Sequence, residues 1–193
     1  MKNNICLLVF FLFFSALRIV AQSEDRTISF SINAAYNFNE NEFHDYWNST
    51  PGAGFELSFE HDVGEIGAGL RLMRFNKIVE STKSFYGVDY YFLYRHYFSI
   101  HRKIDFVAGF DFGIFEFRFD DDADIKTLAE RFEREFAIKL VTGISFSLSE
   151  SWKAELTTAY NHIYTRKKIE LFYLSGGITK TFSAPAWLKE LFE

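Results

Sequence analysis

The sequence predicts an all-β protein, a single antiparallel up-and-down barrel closed from eight long strands. Three observations predict it. Apolar and polar residues alternate with period two over eight separate stretches, and a strand is the regular structure that sends neighbouring side chains to opposite sides. The connections between these stretches are short after the second, fourth and sixth and generally longer after the first, third and fifth, as a meander with two differently treated rims requires. Glycine falls mainly on the more polar face, which marks that face as the crowded interior. A chain consisting mostly of strand is foreign to ordinary globular domains and natural for a barrel.

The chain opens with Lys2 ahead of an apolar run from Ile5 to Leu17, and Ile19-Val20-Ala21 precedes Gln22 as a small-residue cleavage site. This pattern predicts a secretory signal peptide over 1–21. The alternative, a membrane anchor, is disfavoured because Arg18 interrupts the run short of the roughly 20 apolar residues that a spanning helix needs. Cleavage would leave 172 of 193 residues and remove Lys2, Arg18 and Cys6, the only cysteine. The remaining formal charge is 19 − 26 = −7, which argues against nucleic acid as a partner. Without cysteine, a disulfide framework and thiolate chemistry are excluded. Two prolines and no Gly/Ser-rich linker point to one domain over 22–182, followed by a tail over 183–193.

In chain order, Ile28, Phe30, Ile32, Ala34, Tyr36 and Phe38 alternate with Ser29, Ser31, Asn33, Ala35 and Asn37 to form the first strand. The polar stretch 39–51 is the first long loop. The second strand, Gly52 to His61, sets Phe55, Leu57 and Phe59 against Gly54, Glu56, Ser58 and Glu60, and a tight turn at 62–65 leads into a third strand carrying Leu70 and Leu72 opposite Gly67, Gly69 and Arg71. After a longer connection, the fourth strand (84–100) opposes Tyr86, Val88, Tyr90, Phe92, Tyr94, His96 and Phe98 to Gly87, Asp89, Arg95 and Ser99. His101-Arg102-Lys103 is a sharp turn.

The fifth strand, Ile104 to Phe119, alternates strictly up to Ile114, with Phe106, Phe110 and Phe112 opposite Asp105, Gly109, Asp111 and Gly113. From Phe115 the apolar set shifts by one. Keeping Glu116 and Arg118 inside would require an extra residue in the strand, so a β-bulge is expected near 113–115. The acidic connection 120–130 follows. The sixth strand, about 131–148, sets Phe136, Leu140 and Ile144 against Glu133, Glu135, Lys139 and Gly143. A seventh at 152–164 and an eighth ending near Phe182 complete the set.

A lipocalin-like soluble barrel would turn the apolar faces inward; a membrane barrel turns them outward. An eight-stranded barrel is just wide enough for side chains to fill. Inward Phe, Tyr and Leu from every strand would overfill it, whereas Gly and Ser interleaved with charges fit. The apolar faces therefore look outward, where a belt of this size suits lipid and not water. Closure leaves no strand edge and satisfies the backbone within hydrocarbon. Tyr36, Phe38, Phe98, Trp152, Tyr160, Tyr164 and Phe182 lie near strand ends, as interfacial aromatic girdles do.

The signal peptide, the eight amphipathic strands, the tight turns and the aromatic last strand (Phe172, Leu174, Ile178, Phe182) resemble the small outer-membrane barrels of Gram-negative bacteria, of the outer-membrane protein A and X type. The resemblance covers about 27–182. It implies a monomer in outer-membrane lipid, inserted by the barrel assembly machinery. The eleven residues after Phe182 depart from the pattern of chains that end on the aromatic residue of the last strand.

The charges assigned to the interior are Glu56, Glu60, Arg71, Asp89, Arg95, Asp111, Glu116, Arg118, Glu133, Glu135 and Lys139, read as a salt-bridged structural plug. No catalytic, cofactor-binding or metal-binding residue is assigned. Asp120, Asp121, Asp122 and Asp124 lack the spacing and glycine of a calcium loop. Lipid A deacylases carry a histidine and a serine two residues apart on the lipid-facing side of a strand; the residue two after His162 is Tyr164, so His162 is read as a girdle histidine. The expected role is structural, or interaction through the outer loops, with no extracellular partner specified. A lipid-modifying enzyme and a barrel subunit of an export assembly are the alternatives. The tail has helical spacing in Trp187, Leu188, Leu191 and Phe192 behind Pro185, predicting a short amphipathic helix on the periplasmic side.

Overall fold

The computed structural model describes residues 27–38, 41–61, 63–120, 132–165 and 168–183. The expected signal peptide (1–21), nearly all of the expected tail helix (184–193) and the acidic connection after Asp120 lie outside them. The strands are β1 (Thr27–Asn37), β2 (Trp47–Ser49), β3 (Gly52–His61), β4 (Gly64–Lys77), β5 (Phe85–His101), β6 (Ile104–Phe119), β7 (Phe132–Ser147), β8 (Trp152–Ile163) and β9 (Ile169–Ser183). Each neighbouring pair is antiparallel, β1 pairs with β9, and β4 pairs with β5, so the ring β1-β3-β4-β5-β6-β7-β8-β9 closes. These eight are the strands expected from the alternation.

β2 is the addition. It extends β3 along the end of β4 at the long-loop rim, but with a break in step: Ser49 faces Phe75 while Ala53 faces Leu72. Four residues of chain on one side match three on the other, which is a bulge, and Pro51 sits in it because it has no N–H to give the ladder. The Thr50 amide still donates to the Arg74 carbonyl at 2.9 Å, so the rim stays paired across the gap.

The faces fall as the glycines indicated. Outward positions form a continuous apolar belt that includes Phe30, Phe55, Leu70, Tyr90, Phe110, Leu140, Leu156 and Leu174, all exposed. Inward positions are Gly, Ser, Asn, charged groups and an aromatic cluster. At Gly113, a methyl group would meet the Tyr90 carbonyl oxygen of the adjacent strand well inside contact distance. Gly113→Ala is therefore expected to force β5 and β6 apart and to destabilise the barrel by about 1–3 kcal/mol. Urea unfolding in lipid vesicles measures it, and an unchanged midpoint would contradict the close approach.

The bulge expected near 113–115 is absent. β6 pairs without a step from Gly113 through Phe115 to Arg118 with both β5 and β7, and the one shift in its pairing lies at Ser99/His101, at the opposite rim. Parity therefore carries Phe115 and Phe117 into the lumen, where both are buried, and turns Glu116 and Arg118 to the outer face, where the side chains of Arg118 and Arg134 cover Glu116. Packing explains the choice. Phe115, Phe117 and Phe119 meet Phe85, Phe75 and Phe43 in a layer of touching rings across the long-loop end of the lumen, with centroids 4.8–6.3 Å apart. A bulge would forfeit that layer to bring in two charges that the outer rim accommodates.

Candidate functional site

The lumen divides along its axis into an apolar cap at the long-loop end and a polar middle. The cap is built from inward residues of β4, β5, β6, β8 and β9 (Met73, Phe75, Phe85, Phe115, Phe117, Ile163, Leu171, Tyr173), with Phe43 tucked in from the 3-10 turn Glu42–Asp45. His44 of that turn hydrogen-bonds Asn37 and Asn41, and the Asn37 amide donates to the Phe172 carbonyl at 2.9 Å. These bonds tie the turn to the ends of β1 and β9.

Below the cap, five of the assigned charges converge. Lys139 Nζ lies 2.6 Å from Asp89 Oδ2, 3.3 Å from Asp111 Oδ2 and 3.4 Å from the centre of the Tyr91 ring. Arg95 pairs with the other oxygen of Asp111. Arg71 stands over the rings of Tyr91 and Tyr173, at 5.8 and 5.2 Å. The Tyr91 hydroxyl donates to Glu56 at 2.8 Å and so links a sixth charge to the group. Asp89, Asp111 and Glu56 against Lys139, Arg95 and Arg71 make a neutral set, in which Lys139 and Arg95 are directly paired and Arg71 rests against rings with its Nε and Nη1 without a hydrogen-bond partner. A cavity of about 30 Å³ beside Arg71, Glu56 and Arg95 is large enough to hold water.

The remaining assigned residues lie elsewhere. Glu60 is at the rim of the short turns, where the Thr27 hydroxyl donates to it at 2.6 Å. Glu133 and Glu135 point into the long-loop mouth above the cap. Glu116 and Arg118 face outward, contrary to their expected place in the lumen. Glu116 accepts from Arg118 at 2.5 Å and from Arg134 across the strand pair, while Arg118 also donates to the outward Tyr90 hydroxyl at 3.0 Å. Nearby, Arg74 donates two hydrogen bonds to Asp120, at 2.6 and 2.5 Å, which hold that carboxyl below its ordinary range. The pair therefore persists at neutral pH and loosens only in acid, below the ordinary carboxylate range.

Several lumen residues were not singled out from the sequence. Tyr91 is the largest omission. It sits at an inward position of β5, but that strand carries aromatic residues on both faces, which blurred the alternation. Glu65, read as part of a turn, is the second residue of β4 and accepts from Ser58. Glu155 accepts from the Tyr97 hydroxyl at 3.1 Å near the short-turn end. Parity alone would have placed Glu155 inside, between the outward Ala154 and Leu156.

The mouth above the cap is an open vestibule of about 970 Å³. Its floor is aromatic, formed by Phe43, Trp47, Phe85, Phe117 and Phe119, and its wall carries Glu42, Asp45, Glu133, Glu135 and Lys168. Trp47 is held in place by its indole N–H, which donates to the Lys83 carbonyl at 2.8 Å.

No protein-family model matches the sequence, and no curated protein does. Solved structures do. The crystal structure of Neisserial surface protein A superposes with a TM-score of 0.57 at 11% identity, covering 81% of this chain and 97% of that one. The solution structure of outer membrane protein H from P. aeruginosa superposes with a TM-score of 0.53 at 14% identity, covering 82% and 99%. Ring closure, an outward apolar belt, strands longer than a bilayer requires and these two likenesses lead to one conclusion: the chain has the fold of the small eight-stranded outer-membrane β-barrels.

Proposed function

We propose that the protein is a non-conducting, non-enzymatic barrel of the Gram-negative outer membrane, serving the envelope structurally or through surfaces displayed at its long-loop rim. In this reading it is a monomer in outer-membrane lipid, inserted by the barrel assembly machinery after removal of residues 1–21. Short turns face the periplasm and long loops the exterior, the usual arrangement in such barrels. One observation carries the reading. The neutral cluster around Lys139 fills the middle of the lumen, and a layer of phenylalanine rings closes it above. A hydrated ion entering from the long-loop side would have to displace that layer and then part the paired charges beneath it.

Planar-bilayer recording tests this directly. Purified protein is expected to give no stable unit currents under an applied voltage; reproducible single-channel steps that track protein concentration would overturn it.

A second reading, lipid modification, has one observation in its favour. His162 Nδ1 lies 3.5 Å from Glu170 on the outward face of β8 and β9, an acid–base pair at the level of the outer rim. Hydrolysis also requires a nucleophile. The side chain stacked edge-on to His162, with ring centroids 4.6 Å apart, is that of Tyr164. Lipid A mass spectra from cells with and without the gene separate the two readings, and the structural one expects identical acyl chains.

A further inference from the structure

We propose that the vestibule at the long-loop mouth is a binding site for an organic cation with an apolar or aromatic body. Its shape, floor and charge each contribute to the assignment. A volume of about 970 Å³ lies at the upper end of the range for small-molecule sites, roughly 300–1,000 Å³. The exposed Tyr46 and the half-buried Trp47 and Phe119 present ring surface to the vestibule, while Phe85 lies buried beneath them. The Tyr46 and Trp47 centroids are 5.7 Å apart with their planes at 46°, so the two rings are inclined to each other instead of forming a flat sheet. Inclined aromatic rings offer an apolar body a surface to rest on, and a positive charge the negative faces of the rings.

The charge balance selects the sign of the ligand. Asp89, Asp111, Glu116 and Asp120 each have a lysine or arginine partner within salt-bridge distance. Glu133 and Glu135 have none among the described residues, and Glu42 and Asp45 add two further carboxylates to a described lining whose one cation is Lys168. The six charges around Lys139 balance one another, whereas among the described residues the carboxylates of the mouth outnumber its cations directly above an aromatic floor. An anion would be repelled there. A small, strongly hydrated metal ion would gain nothing from the rings, and a neutral apolar molecule nothing from the carboxylates. A quaternary or aryl-alkyl ammonium gains from both. Because the rings also form the upper surface of the cap, the ligand would rest on the plug without needing to pass it. The assignment thus depends on the long-loop mouth being open to solvent, not on the lumen being sealed.

The test uses the full-length protein in phosphatidylcholine nanodiscs, titrated calorimetrically with benzyltrimethylammonium. Saturable one-to-one binding that weakens as ionic strength rises is expected, with no heat of binding from p-toluenesulfonate, an aromatic of similar size and opposite charge. The double variant Glu133→Gln, Glu135→Gln is expected to bind the cation about tenfold more weakly, the effect of removing two partly screened charges. Absence of saturable cation binding to the unmodified protein would overturn the proposal. So would equal binding of the sulfonate, or unchanged affinity in a double variant that still shows heat-modifiable gel migration. Should the double variant fail to fold, the comparison of cation with anion on the unmodified protein decides alone.

Discussion

Lys139→Met is expected to lower the unfolding free energy of the barrel by about 3–5 kcal/mol, the usual cost of stranding a buried charge. Lys139 is 1% exposed and is shared between Asp89 and Asp111. Methionine fills much of the same volume, so the loss is electrostatic in origin and little is owed to a cavity. Asp111 keeps Arg95, but Asp89 keeps no cation within salt-bridge distance among the described residues. Adding Asp89→Asn to Lys139→Met removes the stranded charge and should return more than half of the lost stability, a non-additivity that a double-mutant cycle reads directly. Urea titration in lipid vesicles, followed by tryptophan fluorescence, supplies the free energies. A single variant within about 0.5 kcal/mol of the parent, the range of ordinary surface substitutions, would show that the cluster is not desolvated as the geometry implies.

Phe110→Arg should be comparably severe for an opposite reason. Phe110 stands outward near the middle of β6, between Tyr94 on β5 and Leu140 on β7. Leu140 is 61% exposed, its side chain given over to the surroundings of the barrel. A guanidinium at that depth costs about 2–4 kcal/mol on the lipid face of such barrels, and the buried area of the ring against lipid is lost in addition. Eight residues along the same strand, Arg118 also faces outward, yet it is native. At the rim it meets Glu116, the Tyr90 hydroxyl and the polar edge of the bilayer. Arg118→Ala should therefore cost no more than about 1 kcal/mol. The contrast between the two positions is the measurement, made by the folded fraction in vesicles on heat-modifiable gels. Equal tolerance at Phe110 and Arg118 would mean that the apolar belt does not face lipid.

These two substitutions probe the part of the protein most legible in the primary structure. Period two over strands of 10–17 residues has one geometrical meaning, and the position of glycine identifies the crowded face. Strand number, approximate boundaries, connectivity and the direction of each face follow from local alternation. The charges of the polar middle were also readable, because Arg71, Asp89, Arg95, Asp111 and Lys139 occupy inward positions on strands whose other face is plainly apolar.

The reading failed where both faces of a strand carry the same kind of residue. At the end of β6, Phe115, Phe117 and Phe119 look like a continuation of the lipid face displaced by one position. One-dimensional parity cannot distinguish a bulge from an aromatic cap. What distinguishes them is the identity of the cross-strand neighbours: Phe85 and Phe75 stand ready to pack Phe115 and Phe117 inside, and Arg134 stands opposite Glu116 to neutralise it outside. The bulge at Pro51 leaves no such mark in the sequence, because the polar residues before it have the composition of a loop.

By itself the sequence determined an eight-stranded barrel with its apolar side turned out, since alternation and glycine placement are properties of each strand taken alone. Only the tertiary structure decided which inward charges meet, that Tyr91 lies beneath Lys139, that Glu116 and Arg118 belong to the outer rim, and that an acidic vestibule opens above a floor of aromatic rings. Those features depend on the stagger between strands distant in the chain, and that stagger is set by how the side chains of all eight fill one narrow lumen.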